Sequence, residues 1–328
     1  CAMNDEILKI TDLSIIYKGR YKDVHAVNNV NLSVRPRETL GIVGETGAGK
    51  TTLALGILGL LPERTGRIPN GSIEFNGRDL TKMSEKEMNT IRGRLISMIF
   101  QDPMTSLNPV IPVGKQIEES LALHNDEKLS KAEIKKKVDE ILSQVGIDPS
   151  RKGNYPHEFS GGMKQRIVIA MALTCSPQLL IADEPTTALD VTIQAQVLHL
   201  IEDMKQKIDM AVVMITHDLG IIAKTCDNVA VMYAGEIVEY GTFEDFFDCN
   251  HHHPYTQGLF DSIPSLTGSE DRLKPIDGLM PNPTELPQGC KFHPRCMRCT
   301  ERCKTEVPHN YEKDGHMIKC HLFEEGEW

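Results

Sequence analysis

The sequence predicts an α/β fold, a parallel sheet flanked by helices, on three observations. Residues 39–43 form a short apolar strand that runs into a glycine-rich loop and then an apolar helical stretch at 51–61. From Gly161 onward helix and strand alternate, with strands at 179–182 and 211–215 and a helix at 191–208 between them. Such alternation lays strands side by side in parallel, because each crossover helix must pack back onto the sheet. The strand at 179–182 also ends in two adjacent acids, Asp183 and Glu184.

The remaining elements follow in order. Residues 71–75 and 95–100 read as further strands separated by polar turns. At about 103–165 the texture becomes helical, an inserted subdomain best seen at 130–145. There Ser130 and Glu133 can close a capping box, and Ile134, Val138, Ile141, Leu142 and Val145 make one apolar stripe. After Cys249 the composition shifts to Pro, His and Cys with few long apolar runs, so this tail needs another source of order, such as a bound metal. The expected division is a body at 3–250 and a C-terminal extension at 251–328.

Length and composition exclude several classes. A chain of 328 residues, 40% hydrophobic and 25% charged, has globular usage and can bury one large core or two ordinary ones. Asp and Glu outnumber Lys and Arg by 46 to 36, a net charge of −10 that repels a phosphate backbone, so no nucleic-acid partner is expected. No apolar run approaches the roughly 18 residues that span a bilayer. Asn4, Asp5 and Glu6 stand where a secretory leader would be basic, which predicts a cytosolic location. Cys1 and Ala2, ahead of Met3, read as a cloning remnant without a role.

Gly44-Glu45-Thr46-Gly47-Ala48-Gly49-Lys50-Thr51 sits between a predicted strand and a predicted helix, the context of a phosphate-binding Walker A loop. Its glycines let successive N–H groups converge on phosphate oxygens at a helix N-terminus. Lys50 reaches the β- and γ-phosphates, and the Thr51 hydroxyl, followed by Thr52, can ligate Mg²⁺. The metal then requires an acid at the end of a neighbouring strand. Asp183 suits that role through water, and Glu184 can polarise an attacking water as general base.

Phe159-Ser160-Gly161-Gly162-Met163-Lys164-Gln165, with Ser160 23 residues before Asp183, resembles the LSGGQ signature of ATP-binding cassette (ABC) ATPases. Ser160, Gly161 and Gly162 at a helix N-terminus make a second anion site, suited to a γ-phosphate presented by another subunit. The family's Leu and Gln are Phe159 and Met163 here. The resemblance implies further roles. Gln101 resembles the Q-loop glutamine that senses metal and attacking water, and Ala188-Leu189-Asp190 resembles the D-loop, with Asp190 at a dimer seam. His217 resembles the switch histidine that contacts the γ-phosphate, and Tyr17, or in its place Tyr21, the aromatic that stacks on adenine. The implied fold is a P-loop NTPase with a RecA-like core, an N-terminal antiparallel β subdomain and a helical signature subdomain. The implied cofactors are ATP and Mg²⁺, the metal held by Thr51, Gln101 and Asp183, with catalysis by Glu184, His217 and Gln101.

Five of the nine cysteines, Cys290, Cys296, Cys299, Cys303 and Cys320, fall within the last 39 residues. In a reducing cytosol such clustering favours a metal centre over disulfides. Four of them, within a segment that includes Gly289-Cys290-Lys291-Phe292-His293-Pro294-Arg295-Cys296 and follows His253-Pro254-Tyr255-Thr256, are similar to the C-terminal segment of oligopeptide and dipeptide permease ATPases. That resemblance implies a [4Fe–4S] cluster on Cys290, Cys296, Cys303 and Cys320. Cys299 departs from the pattern and opens a rival set, Cys296-x₂-Cys299-x₃-Cys303, and four thiolates suit Zn²⁺ equally well. A structural staple is favoured over a redox role, and residues 251–253 are expected in a loop without metal. Because the catalytic motifs all precede residue 220, hydrolysis is expected to survive replacement of these cysteines better than structural integrity does.

The same resemblance implies an ATPase that energises dipeptide or oligopeptide uptake at the cytoplasmic face of a membrane. Its partners would be a second ATPase subunit, identical or paralogous, two transmembrane permease subunits and, indirectly, an extracytoplasmic solute-binding protein. Relatives serving nickel chelates or oligosaccharides leave the cargo open. Soluble cassette ATPases acting on nucleic acid or ribosomes usually carry long insertions between the two motifs, whereas Lys50 and Ser160 are only 110 positions apart. A nonhydrolytic regulator is disfavoured because Glu184 and His217 are both present.

Overall fold

The computed structural model describes residues 6–125, 128–187, 189–249, 251–262 and 276–324. Twelve strands run through them in chain order: β1 (Leu8–Tyr17), β2 (Val24–Val34), β3 (Thr39–Val43), β4 (Gly66–Phe75), β5 (Arg78–Asp79), β6 (Ile96–Ile99), β7 (Leu179–Asp183), β8 (Ala211–Thr216), β9 (Asn228–Tyr233), β10 (Glu236–Thr242), β11 (Tyr311–Lys313) and β12 (His316–Ile318). The chain forms two compact units, each assembled from separated stretches of sequence. No helix among the described residues is long and apolar enough to cross a membrane.

One unit takes residues 34–39 and 82–214 with the N-terminal stub. Its strands run in the order β8, β7, β6, and β6 pairs with β7 in parallel from Ile96↔Leu179 to Ile99↔Ala182. Every residue of β7 and β8 is buried, which is why both read as continuous apolar runs rather than as an alternating pattern. The helix Gly161–Leu173, apolar on most of its circumference, packs against β6 and buries Ile167, Ile169 and Ala170 completely. The helical subdomain follows the sequence closely. Lys131–Gln144 carries the Ser130–Glu133 capping box, with Val138 and Leu142 buried and Ile134 and Ile141 only half-buried at the stripe's edge.

The other unit takes residues 8–33, 40–81 and 215 onward. An antiparallel sheet in the order β2, β1, β4, β5 forms the expected N-terminal subdomain. A second run places β3 parallel to β9, then β10, β12 and β11 antiparallel in turn. Two-residue turns close both hairpins: Ala234-Gly235 between β9 and β10, and Asp314-Gly315 between β11 and β12. All four residues have positive φ, the type I′ signature that matches strand twist.

Three expectations shift. The helix expected at 51–61 is Lys50–Ile57, because Leu58 caps it and Gly59, at φ 60°, turns the chain away. β4 begins at Gly66 rather than at 71; Pro69, Asn70 and Gly71 are poor strand formers, yet β1 templates them through a register that steps at Ser14. The tail also takes order from the protein itself, which the sequence did not indicate. β12 pairs with β10 at Glu239↔Ile318 and Tyr240↔Met317, and Ile318, Cys320 and Phe323 form a small core against Tyr311.

Candidate active site

The predicted site residues fall into two groups, one in each unit. The loop that follows β3 holds the first. Gly47 and Gly49 have φ of 88° and 108°, and a Cβ on Gly49 would sit 2.3 Å from the Ala26 carbonyl oxygen, so only glycine fits there. These positive-φ turns shape a nest of backbone N–H groups at the N-terminus of the helix Lys50–Ile57. The buried Lys50 ammonium donates to the Gly44 and Glu45 carbonyls at 2.6 and 3.1 Å, which aims it along the inside of the loop. Tyr17 reaches the helix after the loop, its hydroxyl donating to Thr52 Oγ1 at 3.3 Å; Tyr21 is 87% exposed and stands apart. His217 follows β8 and is exposed.

The second group gathers at the end of β7. Asp183 and Glu184 are both buried. Gln101 Nε2 donates to Glu184 Oε2 at 2.9 Å, and Thr187 Oγ1 donates to the same oxygen at 2.9 Å. Glu184 itself sits at φ 47°, a left-handed conformation that costs a non-glycine residue on the order of 1 kcal/mol or more. The strain aims the carboxylate at Gln101, a pairing the sequence places 83 residues apart.

The signature segment keeps its form despite two substitutions. Ser160 caps the helix Gly161–Leu173 by accepting from Met163 N. Phe159 is buried beneath the Arg151 guanidinium, 4.3 Å from its ring centroid, and Arg151 also donates to Met163 Sδ at 3.6 Å. One arginine therefore serves both departures from the family pattern. Gly162 lies against Ile193, where a Cβ would come within 2.6 Å of Ile193 Cγ2. Asp190 caps the helix Val191–Ile208 through Ile193 N at 2.9 Å; Ala188 lies outside the described residues.

The extension touches the loop after β3 directly. Glu45 N–H donates to the Tyr255 hydroxyl at 2.9 Å, and its carboxylate receives both arms of Arg295 at 2.8 and 3.0 Å. Pairing with Glu45 holds the Arg295 guanidinium above its ordinary range, and burial raises the Tyr255 phenol, so both keep their protons. Tyr255 and Tyr233 are fully buried and pack with Phe292.

Residues 251–253 form a loop, as expected, but His252 and His253 are buried in it. Glu239, fully buried, receives His253 N on one oxygen at 2.8 Å, while His252 Nδ1 and His316 Nε2 meet the other at 2.8 and 3.1 Å. Burial alone would raise the Glu239 carboxyl, but the hydrogen bonds to His252 and His316 outweigh it and hold the group below its ordinary range. His253 is buried, its Nδ1 accepting from Tyr255 N at 3.0 Å as the cap of the helix Pro254–Asp261. Burial pushes its pKa down to about 4.

Between pH 6.5 and 4 the unfolded chain therefore binds a proton at His253 that the folded chain refuses, and stability falls as pH falls across that window. The loss reaches on the order of 3 kcal/mol by pH 4. His253→Asn, which keeps a capping side chain, should flatten this part of the melting-temperature profile. A profile as steep as that of the unaltered protein would reject the assignment.

Sequence reasoning missed Arg295, Tyr255, Glu239 and Arg151. The signals were present, since Tyr255 belongs to the HPYT motif and Arg295 precedes Cys296. Their partners lie 250 and 210 residues away for the two that meet Glu45, and no local pattern reports such a distance.

A glycine nest ending in a buried lysine, an acid pair after an apolar strand with its glutamine partner, and a Ser-Gly-Gly helix start together define a P-loop ATPase of the ATP-binding cassette class. Residues 27–187 match the ABC transporter family, and residues 238–303 match the C-terminal region of oligopeptide/dipeptide transporters. The chain is 45% identical over 322 residues to the oligopeptide transport ATP-binding protein AppD of Bacillus subtilis, covering 97% of each. It is 48% identical to OppD of Salmonella typhimurium, over 96% of this chain and 93% of that protein, and 45% identical to the dipeptide transport ATP-binding protein DppD of Escherichia coli, over 96% of each. A solved dimeric cassette, MJ0796, in a post-hydrolysis state with ADP and Pi, superposes with a TM-score of 0.64 at 26% identity, over 72% of this chain and 98% of that one. The chain belongs to the family of oligopeptide and dipeptide transport ATP-binding proteins.

Proposed function

We propose that this ATPase drives uptake of dipeptides or oligopeptides through a membrane permease, working as one of two cassettes bound at the cytoplasmic face of two transmembrane subunits. The observation that carries the reading is the match of residues 238–303 to the oligopeptide/dipeptide transporter C-terminal region in a chain whose relatives are peptide-transport ATPases. Lys50 and the loop N–H groups would take the phosphates, and Thr51, Gln101 and Asp183 would hold Mg²⁺, which would neutralise phosphate charge. Tyr17 stacks on the base. Glu184 accepts the proton of the attacking water, Gln101 orients that water, and His217 stabilises charge on the γ-phosphate. Ser160, Gly161 and Gly162 complete the opposing cassette's site, with Asp190 at the seam. Reconstituting the chain with its permease subunits and scoring which solutes stimulate ATP hydrolysis tests the proposal. Peptides should stimulate; stimulation by a sugar or metal chelate and not by peptides overturns it.

Residues 251–328 read as an extension stapled by a [4Fe–4S] cluster on Cys290, Cys296, Cys303 and Cys320. Cys320 interacts with Cys290, Cys296 and Cys303, and Cys299 interacts with Cys296 and Cys303, so all five sulfurs share one neighbourhood. Burial pushes the Cys290 thiol up to about 11 and Cys320 up to about 12, so iron must displace protons to bind. When bound, the cluster would cross-link four points of the stretch 290–320. Anaerobically purified protein should be brown, with about four irons per chain. Cys299→Ala should leave both properties unchanged. Colourless protein with stoichiometric zinc rejects the cluster, and iron loss in Cys299→Ala rejects this choice of ligands.

A further inference from the structure

The phosphate-binding loop carries a carboxylate, Glu45, in a place where negative charge opposes a nucleotide. Two like charges a few ångströms apart in a partly desolvated site repel strongly. Arg295 answers that charge. Its guanidinium meets Glu45 through two parallel hydrogen bonds at 2.8 and 3.0 Å, with the arginine side chain 6% exposed and the glutamate 30%. The remaining donors are committed too: Nε to the Asp277 carbonyl at 2.9 Å and Nη2 to the Ile276 carbonyl at 3.3 Å. A planar fork with this many fixed partners holds one orientation.

The backbone that carries Arg295 is equally constrained. It ends the 3₁₀ turn His293–Arg295, where His293 N donates to the Cys290 carbonyl, Arg295 N to Phe292 and Cys296 N to His293. The turn is thus bounded by two cysteines, and its buried Phe292 packs on Tyr233 at 5.1 Å and on Tyr255 at 5.4 Å. Tyr255 in turn receives the Glu45 N–H. Backbone and side chain of one loop residue are therefore both held by the extension.

We propose that Arg295 and Tyr255 are positioning residues for nucleotide binding: the extension neutralises and orients Glu45, so that the phosphate loop accepts ATP only while residues 290–296 keep their place. The inference rests on the reading of the loop as an ATP site. It makes the cysteine-rich segment a determinant of nucleotide affinity and not only a staple.

The test is equilibrium binding of a fluorescent ATP analogue with Mg²⁺ to the full chain, with melting temperatures measured alongside. Arg295→Met should weaken binding at least tenfold, because it strands the Glu45 carboxylate beside the phosphates. Adding Glu45→Gln to that variant should restore binding to within about threefold of the unaltered protein, since the offending charge is gone. A purely structural arginine predicts no such rescue. Arg295→Met with unchanged affinity, or a double variant as weak as the single one, overturns the proposal. Where Arg295→Met fails to fold, Tyr255→Phe serves: it keeps the buried ring, removes the acceptor for Glu45 N–H and should weaken binding severalfold, and unchanged affinity there counts equally against it. Failure of the unaltered chain to bind the analogue would instead remove the ATP-site reading itself.

Discussion

Glu184→Gln should bind ATP as the unaltered protein does and lose hydrolysis by three orders of magnitude or more, about 4 kcal/mol of transition-state stabilisation. The substitution is isosteric, so it leaves the strained backbone at φ 47° and the volume at the end of β7 untouched. What it removes is the carboxylate proposed above to accept the proton of the attacking water. Thr187 and Gln101 both donate to Glu184 Oε2, an arrangement that suits an ionised carboxylate and that an amide can satisfy only through its oxygen. Single-turnover hydrolysis measured beside ATP affinity separates the two effects. Turnover within tenfold of normal would remove Glu184 from the chemistry.

Cys290→Ser should cost the protein its iron and also at least tenfold in affinity for ATP. Cys290 is joined to Cys303 by its own N–H at 2.9 Å, and its carbonyl receives His293 N and His293 Nδ1. Losing the ligand frees the turn that ends at Arg295, and with it both arms on Glu45. Iron content and nucleotide affinity should therefore fall together, although the substitution lies outside every nucleotide motif. Iron loss with unaltered affinity would show that the turn keeps its shape without the cluster, held by the Phe292, Tyr233 and Tyr255 rings alone.

Much of this was legible from the chain itself, for reasons that differ by element. The loop at 44–51 and the signature at 159–165 are short and contiguous, and their glycines leave few alternative conformations, so pattern alone located them. β7 and β8 announced themselves as unbroken apolar runs. Where sequence misled, the cause was partnership across distance. β4 is extended by its neighbour β1 against the preference of Pro69, Asn70 and Gly71. Residues 251–253 read as loop and are one, but nothing local announces that a buried carboxylate, Glu239, gathers His252, the His253 amide and His316. Glu45 read as the variable second position of a phosphate loop, and nothing near it in sequence announces Arg295.

The pairing of β12 with β10 also bears on how this protein can be shortened. Cutting the chain after residue 250 would preserve every nucleotide motif, yet it would bare β10 as an edge strand with its hydrogen-bonding groups unmatched. It would also leave Glu239 without His252, His316 and the His253 amide. An unprotected edge of that kind recruits strands from other copies, so a minimal cassette trimmed at this point is a recipe for aggregates. The last strand-forming residues, 311–318, act as a stopper on the sheet, and any economy in length has to be sought elsewhere.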